Sequence, residues 1–198
     1  QFVKNLGCNG VMVDASHQTL DENIETTSAI VKMAHGCGVP VEGELGYVPG
    51  VEGEDAERHP GEVAYTTAEE AKQYFDATCI DFLAISIGTV HGRMKGNPKL
   101  DFERLDEINS ALKLPLVIHG GTGLSDEQFR QLIVNGVAKI NYYTALSDAA
   151  ANQVRENVQT SPDGGFTNLT RGASEAITEE VGRCMLLWGS SGQADSVL

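Results

Sequence analysis

Two histidines follow short apolar segments, and their residue type suits a metal ion. His91 comes directly after the segment that ends in IGTV, and His119 ends the segment PLVIH; glycine follows both. Neutral imidazole is the commonest zinc ligand, and catalytic zinc takes three protein ligands and leaves one position open. A structural histidine at a strand end is the alternative for either residue taken alone. The recurrence of the pattern favours a metal site.

Two carboxylates occupy comparable places in the sequence. Asp14 ends the apolar segment GVMV, and Glu44 interrupts the apolar segment VPVEGELG. Asp14 could instead cap the helix that follows it. A buried glutamate is rarely without a partner, so a metal ion is the simplest explanation for Glu44. We therefore expect both acids near the two histidines.

The last two apolar segments end in glycines and small polar residues, in the strings HGGTG and NYYT. Glycines let the backbone approach an anion, and hydroxyl and amide groups add neutral donors. A glycine-rich turn without a ligand is the alternative, but its position beside a candidate metal ligand favours a phosphate site. The predicted phosphate donors are Gly120, Gly121, Thr122, Asn141 and Thr144.

The elements that position these residues alternate along the chain. Helical patterns, two of which begin with capping boxes at Thr67–Glu70 and Ser125–Gln128, separate five short apolar runs rich in β-branched residues. This alternation predicts an α/β protein with a parallel sheet. The predicted strands cover residues 10–14, 39–46, 82–88, 115–120 and 137–144.

Two α/β architectures fit this order of elements. An open doubly wound sheet usually carries a glycine-rich phosphate loop after its first strand, whereas the first strand here continues as DASHQ. Polar candidates lie at the C-terminal end of every predicted strand, as in a (β/α)8 TIM barrel. Five strands do not close a barrel, so we expect residues 1–198 to supply strands 4 to 8 of a single barrel domain, without its first three strands.

The composition narrows the class of partner. Acids outnumber bases by 28 to 14, and the net charge of −14 argues against binding to nucleic acid or to an anionic membrane. No apolar stretch approaches the length of about 20 residues that a membrane span needs. Cys8, Cys37, Cys79 and Cys184 form no C-x-x-C pair, so we expect reduced, buried thiols in a cytoplasmic protein.

Several strings together resemble one family. VDAS, VEGELG, LAISIGTVHG, PLVIHGGTG and KINYYT occur in the order found in the class II, metal-dependent fructose-bisphosphate and tagatose-bisphosphate aldolases. The resemblance implies a (β/α)8 barrel that cleaves a ketose 1,6-bisphosphate into dihydroxyacetone phosphate and glyceraldehyde 3-phosphate. It also implies a homodimer or homotetramer. Zinc would polarise the substrate ketone, so no Schiff-base lysine is needed.

The resemblance also assigns roles to individual residues. His91 and His119 match two of the catalytic zinc ligands, and Asp14 and Glu44 match the acids of a second, alternative metal position. The residues that match substrate contacts are Gly92, Gly120, Gly121, Thr122, Asn141, Tyr142, Tyr143 and Thr144. The acidic cluster Glu52, Glu54, Asp55 and Glu57 is expected to be a solvated surface, and the match of Glu54 to a mobile catalytic acid stays open.

One family segment is absent from the sequence. The H-x-D-H motif supplies the third zinc histidine and the aspartate that moves the substrate proton, and we expect it upstream of residue 1. The catalytic acid–base residue is therefore not assigned within this sequence. The alternative is a non-catalytic homologue that binds a sugar phosphate or acts as a scaffold without this motif.

Overall fold

The computed structural model describes residues 5–56, 64–94 and 99–194, and the prediction for Glu57 lies outside them. In chain order its strands are β1 (Val11–Val13), β2 (Val41–Leu45), β3 (Gly50–Ala56), β4 (Phe82–Ile85), β5 (His91–Met94), β6 (Leu116–Ile118) and β7 (Val137–Ile140). Its helices are α1 (Leu20–His35), α2 (Ala68–Thr78), α3 (Phe102–Leu112), α4 (Asp126–Val134), α5 (Thr144–Thr160), α6 (Phe166–Leu169) and α7 (Ala173–Leu187).

Five parallel strands form the main sheet in the order β1-β2-β4-β6-β7, so sheet order follows chain order. This confirms the α/β class and the parallel sheet. The strands are shorter than the apolar segments that predicted them, and the segment 137–144 is divided, because Thr144 already begins α5. Within the described residues β1 and β7 are the edges of the sheet, so the closed barrel remains a proposal.

One side of the main sheet packs against the helices. Val41, Leu83 and Leu116 are fully buried and belong to the same hydrophobic core as helix residues such as Leu105 and Leu132. Burying apolar side chains at about 25 cal/mol per Å² makes this layer the main source of stability. We call it the helix-facing side.

The opposite side of the main sheet carries charged residues. The parallel register pairs Glu42 with Phe82, Glu44 with Ala84, Ala84 with Val117 and Val117 with Lys139, so these side chains share one side. We call the side that bears Glu42, Glu44 and Lys139 the polar face. It is the face on which the predicted site must be assembled.

The helices begin where local sequence signals predict. Thr67 and Ser125 are the N-caps of α2 and α4, and both form the predicted capping boxes with Glu70 and Gln128. α1 begins with a third capping box, between Thr19 and Glu22. Each box satisfies backbone N–H groups that the first turn leaves unpaired.

β3, which contains most of the acidic cluster, forms a two-stranded parallel ribbon with β5. Arg93 anchors this ribbon: its guanidinium donates to both carboxylate oxygens of Asp148 on α5 and, over 2.7 Å, to the carbonyl of Gly53. Gly92 has φ +88°, and a Cβ there would lie 2.4 Å from the carbonyl oxygen of Glu54. The ribbon is thereby held against the N-terminal half of α5.

All four cysteines are free, as predicted, but the expectation that they are buried is wrong for most of them. Cys184 is buried, Cys8 is half-buried, and Cys37 and Cys79 are exposed because they lie just beyond the ends of α1 and α2. In the part of the chain that the structure describes, no helix has the length and apolar character needed to cross a membrane.

Candidate functional site

The predicted site residues meet at one edge of the main sheet. Asp14, His119 and Asn141 directly follow β1, β6 and β7, and Glu44 lies near the end of β2. Because these strands are parallel, their carboxyl ends share the same edge. His91, which follows the predicted strand 82–88, is the first residue of β5.

The rings of His91 and His119 lie side by side. Their centroids are 5.9 Å apart and their planes are inclined by 55°. Two imidazoles bound to one tetrahedral zinc ion have centroids about 5 Å apart, given Zn–N distances of about 2.0–2.1 Å. The two rings are therefore close enough to be candidate ligands of one metal ion. Among the described residues no group of three or more His, Cys, Asp or Glu side chains is placed to hold a metal ion.

His119 is buried between two glutamates of β2. Its Nε2 lies 3.0 Å from Oε1 of Glu42, and its Nδ1 lies 3.4 Å from Oε2 of Glu44. Glu44 was predicted from the sequence as a site residue, whereas Glu42 was not. The signal was present, because residues two apart in a strand point to the same side and the segment reads E-G-E.

The two glutamates differ in their electrostatic surroundings. Burial disfavours the charge of Glu42, but hydrogen bonds from His119 and Lys139 outweigh burial and lower its pKa. Burial raises the pKa of Glu44 to about 7; the neighbouring His119 opposes this rise, and the charge of Asp14 adds to it. Glu42 is therefore ionised at neutral pH, whereas Glu44 gains or loses its proton close to pH 7.

Asp14 is exposed and caps the turn after β1. Its Oδ1 accepts hydrogen bonds from the backbone N–H of Ser16 over 3.2 Å and from the hydroxyl of Ser16 over 2.8 Å. The N-cap of α1 is Thr19, so Asp14 does not cap the helix itself. Its carboxylate is near enough to Glu44 to affect the pKa of that residue.

Glu52 on the ribbon is exposed, as expected, but its carboxylate also contacts residues of the site. Its Oε1 lies 3.0 Å from Nδ1 of His91, and its Oε2 accepts a hydrogen bond from the hydroxyl of Thr144. The backbone N–H of Gly53 donates to the same hydroxyl over 3.1 Å. Burial raises the pKa of Glu52, but the hydrogen bonds from Thr144 and His91 outweigh it, so the pKa is lowered.

The glycine-rich loop after β6 lies against the beginning of α5. The hydroxyl of Thr122 accepts a hydrogen bond from the backbone N–H of Ala145 over 3.1 Å. Gly120 has φ +72°, and a Cβ there would lie 2.1 Å from the carbonyl oxygen of Val90. Glycine is therefore required where the loop crosses the connection between β4 and β5. The amide oxygen of Asn141 accepts a hydrogen bond from Lys139.

The two predicted tyrosines have different surroundings. Tyr142 packs edge-on against Phe129 and Trp188, and its hydroxyl donates to Glu180 of α7 over 3.0 Å. Its side chain therefore connects the loop after β7 to the C-terminal helix. Tyr143 is exposed at the beginning of α5.

Comparison with known proteins identifies the family of this chain. Residues 2–193 match the family described as fructose-bisphosphate aldolase class-II. The chain is 41% identical over 189 residues to the probable fructose-bisphosphate aldolase of Bacillus subtilis (strain 168), and the alignment covers 95% of this chain and 65% of that protein. The fructose-bisphosphate aldolase of Staphylococcus epidermidis (strain ATCC 12228) gives the same identity and coverage.

Solved structures show the same relationship. The YdjI aldolase from Escherichia coli K12 superposes with a TM-score of 0.76 at 35% identity, over 95% of this chain and 62% of that one. A putative fructose-1,6-biphosphate aldolase from Coccidioides immitis gives 0.74 at 30% identity, over 94% and 64%. The chain thus spans somewhat less than two thirds of the length of these relatives. It belongs to the class II fructose-bisphosphate aldolase family.

Proposed function

We propose that this chain takes part in the metal-dependent cleavage and condensation of a ketose 1,6-bisphosphate, fructose or tagatose, with dihydroxyacetone phosphate and glyceraldehyde 3-phosphate as the three-carbon partners. The observation that carries the proposal is the placement of His91 and His119, with rings 5.9 Å apart, beside the loop 120–122 and the beginning of α5. On this proposal the main sheet is strands 4 to 8 of a (β/α)8 barrel.

Zinc is the proposed cofactor, and His91 and His119 would provide two of its ligands. Bound there, zinc would supply a Lewis acid for the substrate carbonyl. The third ligand would come from an H-x-D-H segment or, without one, from Glu44, whose Oε2 lies 3.4 Å from Nδ1 of His119. Asp14 and Glu44 would provide the second, alternative metal position. The imidazole and carboxylate donors are those that zinc prefers.

The proposed phosphate site is formed by the loop 120–122, Asn141 and the first turn of α5. Backbone N–H groups at a helix N-terminus attract anions. The carboxylate of Glu52 already accepts a hydrogen bond from Thr144 at this place, which supports an anionic occupant. A substrate phosphate would have to displace Glu52 from Thr144. Gly92, Tyr142 and Tyr143 would contribute through their backbone.

We also propose a cellular location and an oligomeric state. Four free cysteines, two of them exposed, suit a reducing compartment such as the cytoplasm. A homodimer or homotetramer is proposed from the family alone. The acidic net charge of −14 agrees with a small-molecule partner rather than nucleic acid or an anionic membrane.

One observation favours a second candidate function. The glycine-rich loop 120–122 lies against the beginning of α5, an arrangement that would equally suit a non-catalytic protein that binds a sugar phosphate or acts as a scaffold. Such a protein would bind dihydroxyacetone phosphate without cleaving a ketose bisphosphate. The two candidates therefore differ in zinc content and in cleavage.

The test compares His91→Ala and His119→Ala with His35→Ala, a control histidine that pairs with Asp81 over 2.8 Å at the end of α1. Bound zinc is measured by mass spectrometry, and cleavage of both bisphosphates is measured with and without a chelator. We expect zinc affinity and cleavage to fall by at least about 100-fold in the two site variants. Loss of a residue that merely hydrogen-bonds to a metal ligand already costs 10–100-fold, and loss of the ligand itself should cost more. Cleavage that survives in both site variants would refute the aldolase proposal.

A further inference from the structure

We infer that Glu42 is a positioning residue for the candidate metal site: it fixes the imidazole of His119 so that Nδ1 is the nitrogen available to a metal ion. This inference rests on the proposed function. The resemblance to the family assigned no role to Glu42, and the inference follows from the contacts around His119.

The contacts of His119 determine which ring nitrogen carries the proton. Its Nε2 lies 3.0 Å from Oε1 of Glu42, and both side chains are buried, with 5% and 7% of their surfaces exposed. An ionised carboxylate only accepts hydrogen bonds, so Nε2 must be the donor. In a neutral imidazole the other nitrogen then has a free lone pair. Nδ1 is that nitrogen, and it faces Glu44 at the longer distance of 3.4 Å.

Glu42 is itself held in one orientation. Its second oxygen, Oε2, lies 2.9 Å from Nζ of Lys139, so both carboxylate oxygens have partners. Lys139 also donates to Asn141, which ties this charge to the loop after β7. On the backbone, Glu42 is paired in register with Met12 on one side and Phe82 on the other. A carboxylate restrained in this way can orient a neighbouring ring.

The chain of contacts Lys139–Glu42–His119 therefore links β7, β2 and the end of β6. Histidines that bind metals commonly donate their second ring N–H to a carboxylate, which fixes the tautomer and the ring orientation. His119 shows this arrangement. A purely structural ion pair between Glu42 and Lys139 would stabilise the fold and leave the tautomer of His119 and its metal affinity unchanged.

The experiment uses the full chain and two substitutions of one residue. Glu42→Leu removes the acceptor, whereas Glu42→Gln keeps an amide oxygen that can still accept from Nε2–H. Ring nitrogen shifts from ¹H–¹⁵N NMR report the tautomer of His119, and a competition titration with a chelator reports zinc affinity. We expect Glu42→Leu to mix the tautomers and weaken zinc binding 10–100-fold. Glu42→Gln should restore the wild-type tautomer and most of the affinity.

Two controls make the result decisive. Asp81→Asn changes the carboxylate partner of His35 and should leave zinc affinity unchanged. If Glu42→Leu does not fold, Lys139→Met, at a half-exposed residue, should still loosen Glu42 and weaken zinc binding severalfold. Wild-type tautomer and affinity in Glu42→Leu, or wild-type affinity in Lys139→Met, would overturn the inference.

Failure of the proposed function gives a different pattern. If His119→Ala binds zinc as well as the wild type, the metal site itself is wrong. If His119→Ala loses zinc and Glu42→Leu keeps both zinc and tautomer, the metal site stands and only the role of Glu42 is refuted.

Discussion

Alternate residues of the same strands face two different environments. On the helix-facing side Leu83, Leu116 and Ile118 are fully buried among helix side chains. On the polar face Glu42 and Glu44 are nearly as buried, yet their carboxylates contact the charged or polar groups of His119 and Lys139. Apolar burial stabilises the fold, whereas burying charges costs free energy unless they are paired. Stability and chemistry are thus separated by the two-residue period of the strands.

A buried polar network connects the two sides at β2. The hydroxyl of Tyr74 lies 2.7 Å from the hydroxyl of Thr27 and donates to Oδ1 of Asn23 over 3.1 Å. The amide of Asn23 donates to the backbone carbonyl of Glu44 over 2.9 Å. This network, on the helix-facing side, therefore holds the backbone that carries a site residue. Gly43 provides the space into which the Tyr74 ring fits.

The largest effect on stability is expected from Gly43→Ala. A Cβ there would lie 2.6 Å from the Tyr74 hydroxyl oxygen and 2.7 Å from its Cε1, so the ring and its network must shift. Overpacking of this kind costs about 1–3 kcal/mol. We expect the free energy of unfolding, measured by urea denaturation, to fall by about 3 kcal/mol.

Gly10→Ala is the matched control, because a Cβ at Gly10 would meet nothing within 4 Å. It should change the free energy of unfolding by less than about 0.5 kcal/mol. Equal losses in the two variants would mean that backbone freedom, and not the Tyr74 contact, determines the cost. The close contact between Gly43 and Tyr74 on the helix-facing side would then make no measurable contribution to the cost.

A smaller effect, which depends on pH, is expected from Tyr74→Phe. At neutral pH the variant should lose about 1–2 kcal/mol, because Thr27 and Asn23 lose a partner in the core. Burial raises the pKa of Tyr74 to about 12, whereas the unfolded chain loses this proton near pH 10. The wild-type contribution is therefore intact below pH 10 and is lost as the pH rises to 12.

Urea denaturation of both proteins at pH 8, 10 and 11.5 measures this difference. The stability advantage of the wild type over Tyr74→Phe should shrink by about 1.5 kcal/mol between pH 10 and pH 11.5, since each pKa unit corresponds to about 1.4 kcal/mol. An advantage that stays constant with pH would show that Tyr74 ionises as readily in the folded protein as in the unfolded chain.

The elements with local sequence signals were predictable. The capping boxes at Thr67 and Ser125 are each contained in four residues, and the five strands are short apolar runs in a polar chain. The ribbon of β3 and β5 has no such signal. Its strand GVEGEDA lacks alternating apolar residues, and it forms through pairing with β5, whose Arg93 is anchored by Asp148, 55 residues further along.

The residues of the candidate site also divide into those that the sequence could predict and those that it could not. The ends of parallel strands must share an edge, so the meeting of Asp14, Glu44 and His119 could be expected from the sequence alone. The roles of Glu52 and Tyr142 could not, because each depends on a distant partner: Thr144 for Glu52 and Glu180 for Tyr142. Glu42 lies between these cases, since the alternation with Glu44 predicts its side but not its contact with His119.

The smallest effect is expected from Glu52→Gln, which tests the chemistry of the polar face without affecting the core. The Glu52 side chain is 38% exposed, so its loss of charge should change the free energy of unfolding by less than about 0.5 kcal/mol. Its carboxylate holds the hydroxyl of Thr144, which a substrate phosphate would use. Without that charge, zinc-free protein should bind inorganic phosphate about three- to tenfold more tightly, as measured by calorimetric titration.

Glu54→Gln is the control for this last change, because Glu54 is exposed on the same ribbon and the substitution alters net charge equally. Charges at the surface are screened beyond about 8 Å at physiological ionic strength, so a net charge of −14 by itself opposes phosphate only weakly. Only a carboxylate that occupies the anion position should compete directly. A gain in phosphate affinity for Glu52→Gln alone would therefore locate the phosphate at Thr144, whereas equal gains in both variants would place it elsewhere on the chain.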